Sequence, residues 1–156
     1  MKLIDIPEAL LSASFEHGIK AYPEEGCGVL SGPADADTVD TFHPIENVLN
    51  QLHKEDPESY PRTAADGYVL DPQAMHKLER ELAAGNRKIK VIVHSHVDVG
   101  AYFSQEDKDR ATWAGEPLLP GIVYLVCGVK ENKPDGAILA HFDDTSRTFE
   151  TQRLTD

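Results

Sequence analysis

The sequence is poor in basic residues and has no long apolar run, and each shortage excludes a class of partner. Its 15 Lys and Arg stand against 27 Asp and Glu, which gives a net charge of −12. That charge repels phosphate backbones and anionic headgroups, so we expect no nucleic-acid or membrane partner. The longest apolar run, residues 121–129, is much shorter than the roughly 20 residues of a transmembrane helix. The acidity fits either a basic partner surface or a high-salt environment.

Cysteine is also scarce. Cys27 and Cys127 are the two cysteines, and each lies within an apolar run. One disulfide is possible, but two buried free thiols are more typical of a cytosolic protein. Residues 1–11 contain a lysine, an acid and a proline and lack the apolar centre of a signal peptide. We therefore expect a cytoplasmic protein that forms one domain over residues 1–156.

Hydrophobic periodicity predicts an α/β fold, with a mixed central sheet flanked by about three helices. The polar segment 50–66, with two prolines, is predicted to be a loop. The predicted helices run from Asp5 to about His17, from Pro72 to Gly85 with Asp71 as N-cap, and from Ser104 to near Gly115. The predicted strands cover residues 26–32, 39–42, 68–70, 89–93, 121–129, 137–142 and 148–154.

The central strand 89–93 leads directly into His94 and His96, and Asp107 follows after ten intervening residues. Side chains two apart on a strand point to the same side, so the two imidazoles can converge. Asp107 lies in the first turn of the next helix, whose positive end favours an ionised carboxylate. Two imidazoles and a carboxylate leave the fourth position of a tetrahedral zinc site open, which is typical of catalytic zinc.

Glu25 lies immediately before the strand at 26–32. A carboxylate at the mouth of the sheet can take a proton from water and deliver it to a leaving group. The alternative is an exposed acid in the turn that begins at Pro23. His94 and His96 have plain alternatives too, because a chain with seven histidines can contain such a pair by chance. The spacing of Ser104 and Asp107 also fits ordinary helix capping.

The remaining candidate residues are expected to be structural. Cys27 is interpreted as a core residue rather than a nucleophile, and Trp113 is expected in the core. His53 lies in the long loop and can approach a cleft. No ligand spacing connects the other histidines, which are expected to be surface or capping residues: His17, His43, His53, His76 and His141.

Two motifs combine in this chain. Glu25-x-Cys-Gly-x-Leu-x-Gly is followed by His94-Ser-His96-x10-Asp107, with Ser104 three residues before the aspartate. Together, from about residue 22 to 129, they resemble the JAMM (MPN-plus) metalloprotease domain. The resemblance implies a cytidine-deaminase-like α/β architecture, one zinc ion per chain, and cleavage of amide or isopeptide bonds at the C-terminal tails of ubiquitin-like proteins.

The same resemblance implies a role for each residue of the motif. His94, His96 and Asp107 are expected to be the zinc ligands, Glu25 the general base, and Ser104 a hydrogen-bond donor to the tetrahedral oxyanion. The chain departs from the family where proline is usual, with Val97 after the second histidine and Phe103 before the serine. We expect these departures to affect the orientation of the loop and the substrate preference more than metal binding.

The chain has no room for the long insertions by which eukaryotic deubiquitinases hold ubiquitin, so it resembles the compact bacterial members. We therefore expect a zinc-dependent peptidase or isopeptidase that acts on the C-terminal tail of a ubiquitin-like or sulfur-carrier protein. Two alternatives remain open, a non-catalytic scaffold of the same fold and a metal-dependent amidase of small peptides. The presence of every residue of the motif disfavours the scaffold. No motif specifies an oligomeric state.

Overall fold

Residues 4–155 are described by the computed structural model, and they form four helices and eight strands. The helices are α1 Glu8–Ala21, α2 Leu49–Glu55, α3 Pro72–Ala84 and α4 Gln105–Ala111. The strands are β1 Cys27–Pro33, β2 Thr41–Ile45, β3 Arg87–Val97, β4 Thr112–Trp113, β5 Glu116–Pro117, β6 Val123–Lys130, β7 Lys133–Asp143 and β8 Thr148–Thr155. None of the helices within residues 4–155 is long and apolar enough to cross a bilayer.

Six of the strands form one mixed sheet in the order β2-β1-β3-β6-β7-β8. Only β3 and β6, among the described strands, are parallel neighbours, and the other pairs in this sheet are antiparallel. A parallel pair requires a crossover connection, which here consists of residues 98–122 with α4 and the hairpin β4–β5. The predicted α/β domain with a mixed central sheet is confirmed, with four helices instead of about three.

The central strand β3 is buried on both faces, as its aliphatic sequence predicts. Val91 and Val93 belong to the core on the side of α1, where Leu10 and Phe15 pack. Ile92 belongs to the opposite core, with Phe103 and Tyr124 among its members, beneath α3 and α4. The two histidines that follow in β3 share the face of Ile92, because side chains alternate along a strand.

Helix α1 begins three residues later than predicted and runs on through Gly18 to Ala21, with Pro7 at its N-cap and no side-chain cap. The prediction that Gly18 ends the helix is wrong because this glycine permits close packing. A Cβ at Gly18 would lie 2.8 Å from the Cβ of Ser95 and 3.2 Å from a methyl of Val129. The glycine thus lets α1 approach β3, which carries the two histidines, and its neighbour β6.

Helix α2 occupies the first part of the segment predicted to be a loop, so that prediction is wrong for residues 50–55. Its sequence contributes one fully buried anchor, Leu49, which is 1% exposed. The side chain of Asn47 fixes the entry to the helix by accepting hydrogen bonds from the backbone N–H of Leu49 and of Val69, each at 3.1 Å. Tertiary contacts of this kind stabilise a helix that periodicity does not reveal.

The sequence analysis predicted the wrong exposure for two side chains, Trp113 and His141. Trp113 is 77% exposed, because α4 ends at Ala111 and Trp113 lies in the hairpin β4–β5, so a core position is wrong. His141 is buried at 8% exposure, because it shares the inward face of β7 with Leu139. A surface position for His141 is therefore wrong as well.

Other predictions hold with small shifts. Helix α3 begins at Pro72, and the Asp71 side chain caps it by accepting a hydrogen bond from Gln73 N. Both cysteines are buried and free, and burial raises the pKa of each thiol to about 12. One prediction in this part of the chain is wrong: residues 68–70 do not form a strand, and among them only Leu70 pairs, in an isolated bridge with Asn47.

Gly18→Ala should lower the free energy of unfolding by about 1–3 kcal/mol, because the new methyl group overlaps Ser95. Within a helix, alanine is otherwise more favourable than glycine by about 1 kcal/mol. A loss of stability would therefore show that the steric overlap outweighs this helix propensity. Urea unfolding measures it. Gly85→Ala is the matched control, since the nearest atom to its Cβ, Leu82 O, would lie 3.7 Å away. A Gly18→Ala protein at least as stable as wild type would contradict the packing argument.

Candidate active site

The end of β3 brings two imidazoles together on one face of the sheet. The Nε2 atoms of His94 and His96 lie 3.2 Å apart. His94 is fully buried and His96 is 4% exposed. The Nδ1 atoms of both rings are buried and have no hydrogen-bond partner among the described residues. The pair therefore presents its Nε2 atoms to a shared space beside the strand.

Asp107 enters that space from the first turn of α4. Its carboxylate places Oδ1 3.4 Å from His94 Nε2 and Oδ2 3.2 Å from His96 Nε2. A capping box holds the helix in place: Ser104 Oγ accepts from Asp107 N at 3.1 Å, and Asp107 Oδ2 accepts from Ser104 N at 2.9 Å. Ser104 and Asp107 therefore do cap the helix, as the alternative interpretation predicted. Asp107 also contacts both histidines, so the two roles occur together.

The three residues suit a single zinc ion. Ligands bound tetrahedrally at 2.0–2.1 Å lie about 3.3 Å from one another. Here the two Nε2 atoms lie 3.2 Å apart, and the two oxygens of Asp107 lie 3.4 Å from His94 Nε2 and 3.2 Å from His96 Nε2 respectively. Two imidazole nitrogens and a carboxylate oxygen are also donors that zinc accepts in proteins. The residues present therefore fit the ion that the sequence motif implies.

The surroundings of His94 and Asp107 shift both pKa values in the direction that metal binding requires. Burial lowers the pKa of His94 and outweighs the opposing effect of Asp107, which favours the neutral imidazole. Burial acts to raise the pKa of Asp107, but its interaction with His94 and the hydrogen bonds from His96 and Ser104 N outweigh burial and hold that pKa well below its usual value. Neutral imidazoles and an ionised carboxylate are the ligand forms that bind metal.

Glu25 approaches the imidazoles from the side of β1. It is 6% exposed, and one of its carboxylate oxygens lies within 4.8 Å of ligand nitrogens of both His94 and His96. Its backbone is fixed on both sides: Glu25 N donates to Ala64 O at 2.6 Å, and Asn47 Nδ2 donates to Glu25 O at 2.9 Å. The exposed turn position that was the alternative for Glu25 is therefore wrong.

Two carboxylates beside the same imidazoles have opposite pKa shifts. The pKa of Glu25 is raised to about 9, first by burial and then by the negative charges of Asp107, Asp66 and Glu106, while Arg62 lowers it. Asp107 stays ionised under the same conditions. A cation between the two would offset the repulsion and lower the pKa of Glu25.

A cleft of about 350 Å³ opens beside these residues. Glu25, His96, Ser104 and Asp107 all line it, with residues 62–66 on one side and 97–107 on the other. A salt bridge of 2.7 Å between Arg62 Nε and Glu106 Oε2 joins the two sides. The catalytic candidates are thus reached from solvent through a groove between two loops.

Several residues that shape the site were not identified from the sequence. The ring of Tyr68 stacks on His94 with centroids 4.3 Å apart, and Tyr102 lies edge-on to His96 at 4.9 Å. Both tyrosines and Arg62 lie in irregular segments, where no periodicity links them to the motif. His53, which the sequence placed in a loop near the cleft, instead contacts Tyr60 O at 2.7 Å and is not part of the lining.

The loop in which the family prolines are replaced is held by its own contacts. Asp98, after Val97, accepts hydrogen bonds from the Tyr22 hydroxyl, the shorter at 2.8 Å, and its backbone N–H donates to Val129 O at 2.8 Å. Phe103 is buried against Tyr124 and against a ring of β8. These contacts fix both ends of the segment between His96 and α4.

Comparison with known proteins identifies relatives. Residues 7–140 match the model of the prokaryotic homologs of the JAB domain. The chain is 33% identical over 137 residues to the desampylase of Haloferax volcanii, covering 88% of this chain and 82% of that protein. It is 30% identical over 103 residues to the CysO-cysteine peptidase of Mycobacterium tuberculosis, covering 66% of this chain and 62% of the peptidase.

Two solved structures share the fold. The solution structure of a Desulfitobacterium hafniense protein superposes with a TM-score of 0.66 at 20% identity, covering 93% of this chain and 86% of that one. A Salinibacter ruber protein gives a TM-score of 0.59 at 24% identity, with 99% and 90% covered. At these identities the likeness concerns the fold alone.

The raised pKa of Glu25 predicts a pH-dependent stability difference in metal-free protein prepared with a chelator. Below pH 4.5 the carboxyl is protonated in both the folded and the unfolded chain. As the pH rises towards about 9, only the unfolded chain loses the proton, so wild type should lose stability relative to Glu25→Gln. Chemical unfolding at several pH values between 5 and 8.5 measures the difference.

The exposed neighbour supplies the control for this experiment. Glu24→Gln should keep the pH dependence of wild type, because Glu24 lies at the surface. A constant difference between Glu25→Gln and wild type across this range would show that Glu25 does not have the raised pKa.

Proposed function

Since the chain belongs to the family of prokaryotic homologs of the JAB domain, which includes JAMM-type peptidases, we propose that it is a zinc-dependent peptidase or isopeptidase. Its substrate is an amide bond at the C-terminal tail of a ubiquitin-like or sulfur-carrier protein. The observation that carries the proposal is the cluster of His94 Nε2, His96 Nε2 and the Asp107 carboxylate, with contacts of 3.2–3.4 Å, beside the buried Glu25.

His94, His96 and Asp107 would hold the zinc ion. Bound there, zinc supplies Lewis acidity towards the scissile carbonyl and lowers the pKa of a water molecule to about 7. Without a metal ion, the protein already favours the required forms of two ligands. Burial favours neutral His94, the pKa of Asp107 is low, and the capping box fixes the Asp107 side chain against the start of α4.

Glu25 is the proposed general base. Its carboxylate is buried, faces the same imidazoles and lines the cleft through which a substrate enters. A raised pKa suits the second half of the role, in which Glu25 must hold the proton of the attacking water and deliver it to the departing amine. With a metal ion bound beside it, Glu25 would have a lower pKa, so its carboxylate could accept the proton in the first half of the role.

Ser104 is the proposed hydrogen-bond donor to the oxyanion. In the capping box its Oγ accepts from Asp107 N, which leaves the hydroxyl proton available to a substrate oxygen in the cleft. Capping and catalysis are therefore compatible at this residue. Loss of one donor to an oxyanion typically lowers the rate by about 100- to 1,000-fold.

The substrate class rests on the relatives and on the open form of the cleft. The two curated relatives are named desampylase and CysO-cysteine peptidase, and both names fit a hydrolase that removes a group from a carrier protein. The groove between residues 62–66 and 97–107 is open to solvent at the surface, so it can admit an extended C-terminal tail. The scaffold and small-peptide alternatives are outcomes of the experiments below.

Glu25→Gln should retain about as much zinc as wild type and lose roughly 100- to 10,000-fold in turnover, because the ligands remain while the base is lost. His94→Ala should lose both zinc and activity. Metal analysis of the purified proteins and cleavage of a carrier fusion measure the two properties. Glu24→Gln, the exposed neighbouring acid, should match wild type in both.

Each of the other outcomes has a definite meaning. Full activity in Glu25→Gln would remove Glu25 from the mechanism. Wild-type protein that purifies with far less than one zinc per chain, and gains no activity when zinc is added, would support the scaffold alternative instead.

Substrate class is tested with a ubiquitin-like carrier that ends in a C-terminal extension, beside a short peptide of the same tail sequence. We expect a kcat/KM at least tenfold higher for the carrier fusion, because the folded body adds binding energy that the tail lacks. The carrier unfolded by destabilising core substitutions is the matched control. Equal rates on carrier and peptide would identify an amidase of small peptides.

A further inference from the structure

His141 is the one histidine outside the candidate active site whose buried ring nitrogens both lack a hydrogen-bond partner within residues 4–155. The side chain is 8% exposed, on the inward face of β7. A buried nitrogen without a partner is destabilising, so native proteins satisfy such groups with water or an ion. The ring therefore has room for a ligand that residues 4–155 do not supply.

Sheet geometry places two carboxylates on the same face as His141. Asp143 follows two residues later on β7, and Glu150 of β8 is the direct cross-strand partner of His141. One ligand atom from each of the three residues lies within 4.8 Å of the other two. This set combines a buried imidazole, a partly buried carboxylate and an exposed carboxylate.

We propose that His141, Asp143 and Glu150 form a second metal site, which takes a zinc-like divalent transition cation. A nitrogen donor favours such ions over calcium and magnesium, which prefer sites made of oxygen alone. One donor atom from each residue lies within 4.8 Å of the others, whereas the contacts of the first cluster are 3.2–3.4 Å, so we expect the exposed Glu150 side chain to rotate to close the site. Binding at this second site is therefore weaker than at the active site.

Among residues 4–155, the surroundings leave the three donors available. Arg147, the basic residue of the β7–β8 turn, pairs with Glu116 and with Asp144 and stacks on Phe142. Asp143 accepts a hydrogen bond from Ser146 N through Oδ2, which leaves its other carboxylate oxygen for a cation. His141 also lines a surface groove of about 690 Å³, which gives an ion a route to the ring.

The second site is separate from the active site. His141 pairs with Val123 of β6, and Val123 pairs with Val91 of β3. Val91 lies three residues before His94 on β3 and faces the α1 side, whereas His94 faces the opposite side. The two sites therefore occupy opposite faces of the sheet. A cation at the second site would join β8, an edge strand, to its neighbour β7.

The experiment compares the zinc content of full-length wild type with that of Glu150→Gln and Asp143→Asn after equilibrium dialysis against buffered zinc. Each variant should bind one zinc fewer per chain than wild type and keep its peptidase activity. Asp144→Asn is the matched control, because it removes an adjacent negative charge outside the set. The readout is a difference between proteins, so it does not depend on whether the active site binds zinc.

A second measurement follows the His141 ring directly and needs no substitution. Zinc added to wild type should shift the ring ¹⁵N signals of His141, and the shift should be absent in Glu150→Gln at the same zinc concentration. The proposal is overturned if the His141 signals stay unchanged while zinc is present in excess. It is also overturned if Asp144→Asn lowers the zinc content as much as Glu150→Gln, since that would indicate binding to surface acids in general.

Discussion

The site depends on the placement of the Asp107 carboxylate against two imidazoles that a single strand presents on one face. Alternation along β3 brings His94 and His96 together without any help from the rest of the chain. The third proposed ligand, Asp107, comes from another element, and its position follows from the parallel pairing of β3 with β6. A parallel pair requires a crossover, and this crossover begins at the end of β3 and passes through α4, so its first helical turn returns to the histidines.

The electrostatics of the site follow from this arrangement. Asp107 contacts both imidazoles and accepts a backbone N–H, so its pKa is low. Glu25 has no such partner among the described residues, is buried more deeply and faces the charge of Asp107, so its pKa is raised to about 9. Environments that move the pKa values of two carboxylates in opposite directions separate a permanent anion from a group that exchanges protons. The proposed ligand and the proposed base are thus distinguished by their surroundings, although both are carboxylates.

Sequence reasoning succeeded where the interaction is local. The alternation of His94 and His96, the capping of α3 by Asp71 and the aliphatic β3 all depend on neighbours in the chain, and the structure contains each of them. Sequence reasoning failed where packing between distant segments determines the structure. Gly18 resembles a helix terminator, yet it is a point of close contact with Ser95. The stacking of Tyr68 on His94 joins segments whose separation in sequence leaves no periodic signal.

His141 shows that some of the missed information was present in the sequence. Ala137, Leu139 and His141 alternate on β7, so strand periodicity alone places the ring inside the protein with its apolar neighbours. Its carboxylate partner Asp143 is visible two residues later, whereas Glu150 becomes its neighbour only through the register of β7 with β8. The same two rules, alternation within a strand and pairing across strands, therefore build both clusters. At the first cluster a crossover helix adds the third residue, and at the second an edge strand adds it, which is why only the first is enclosed.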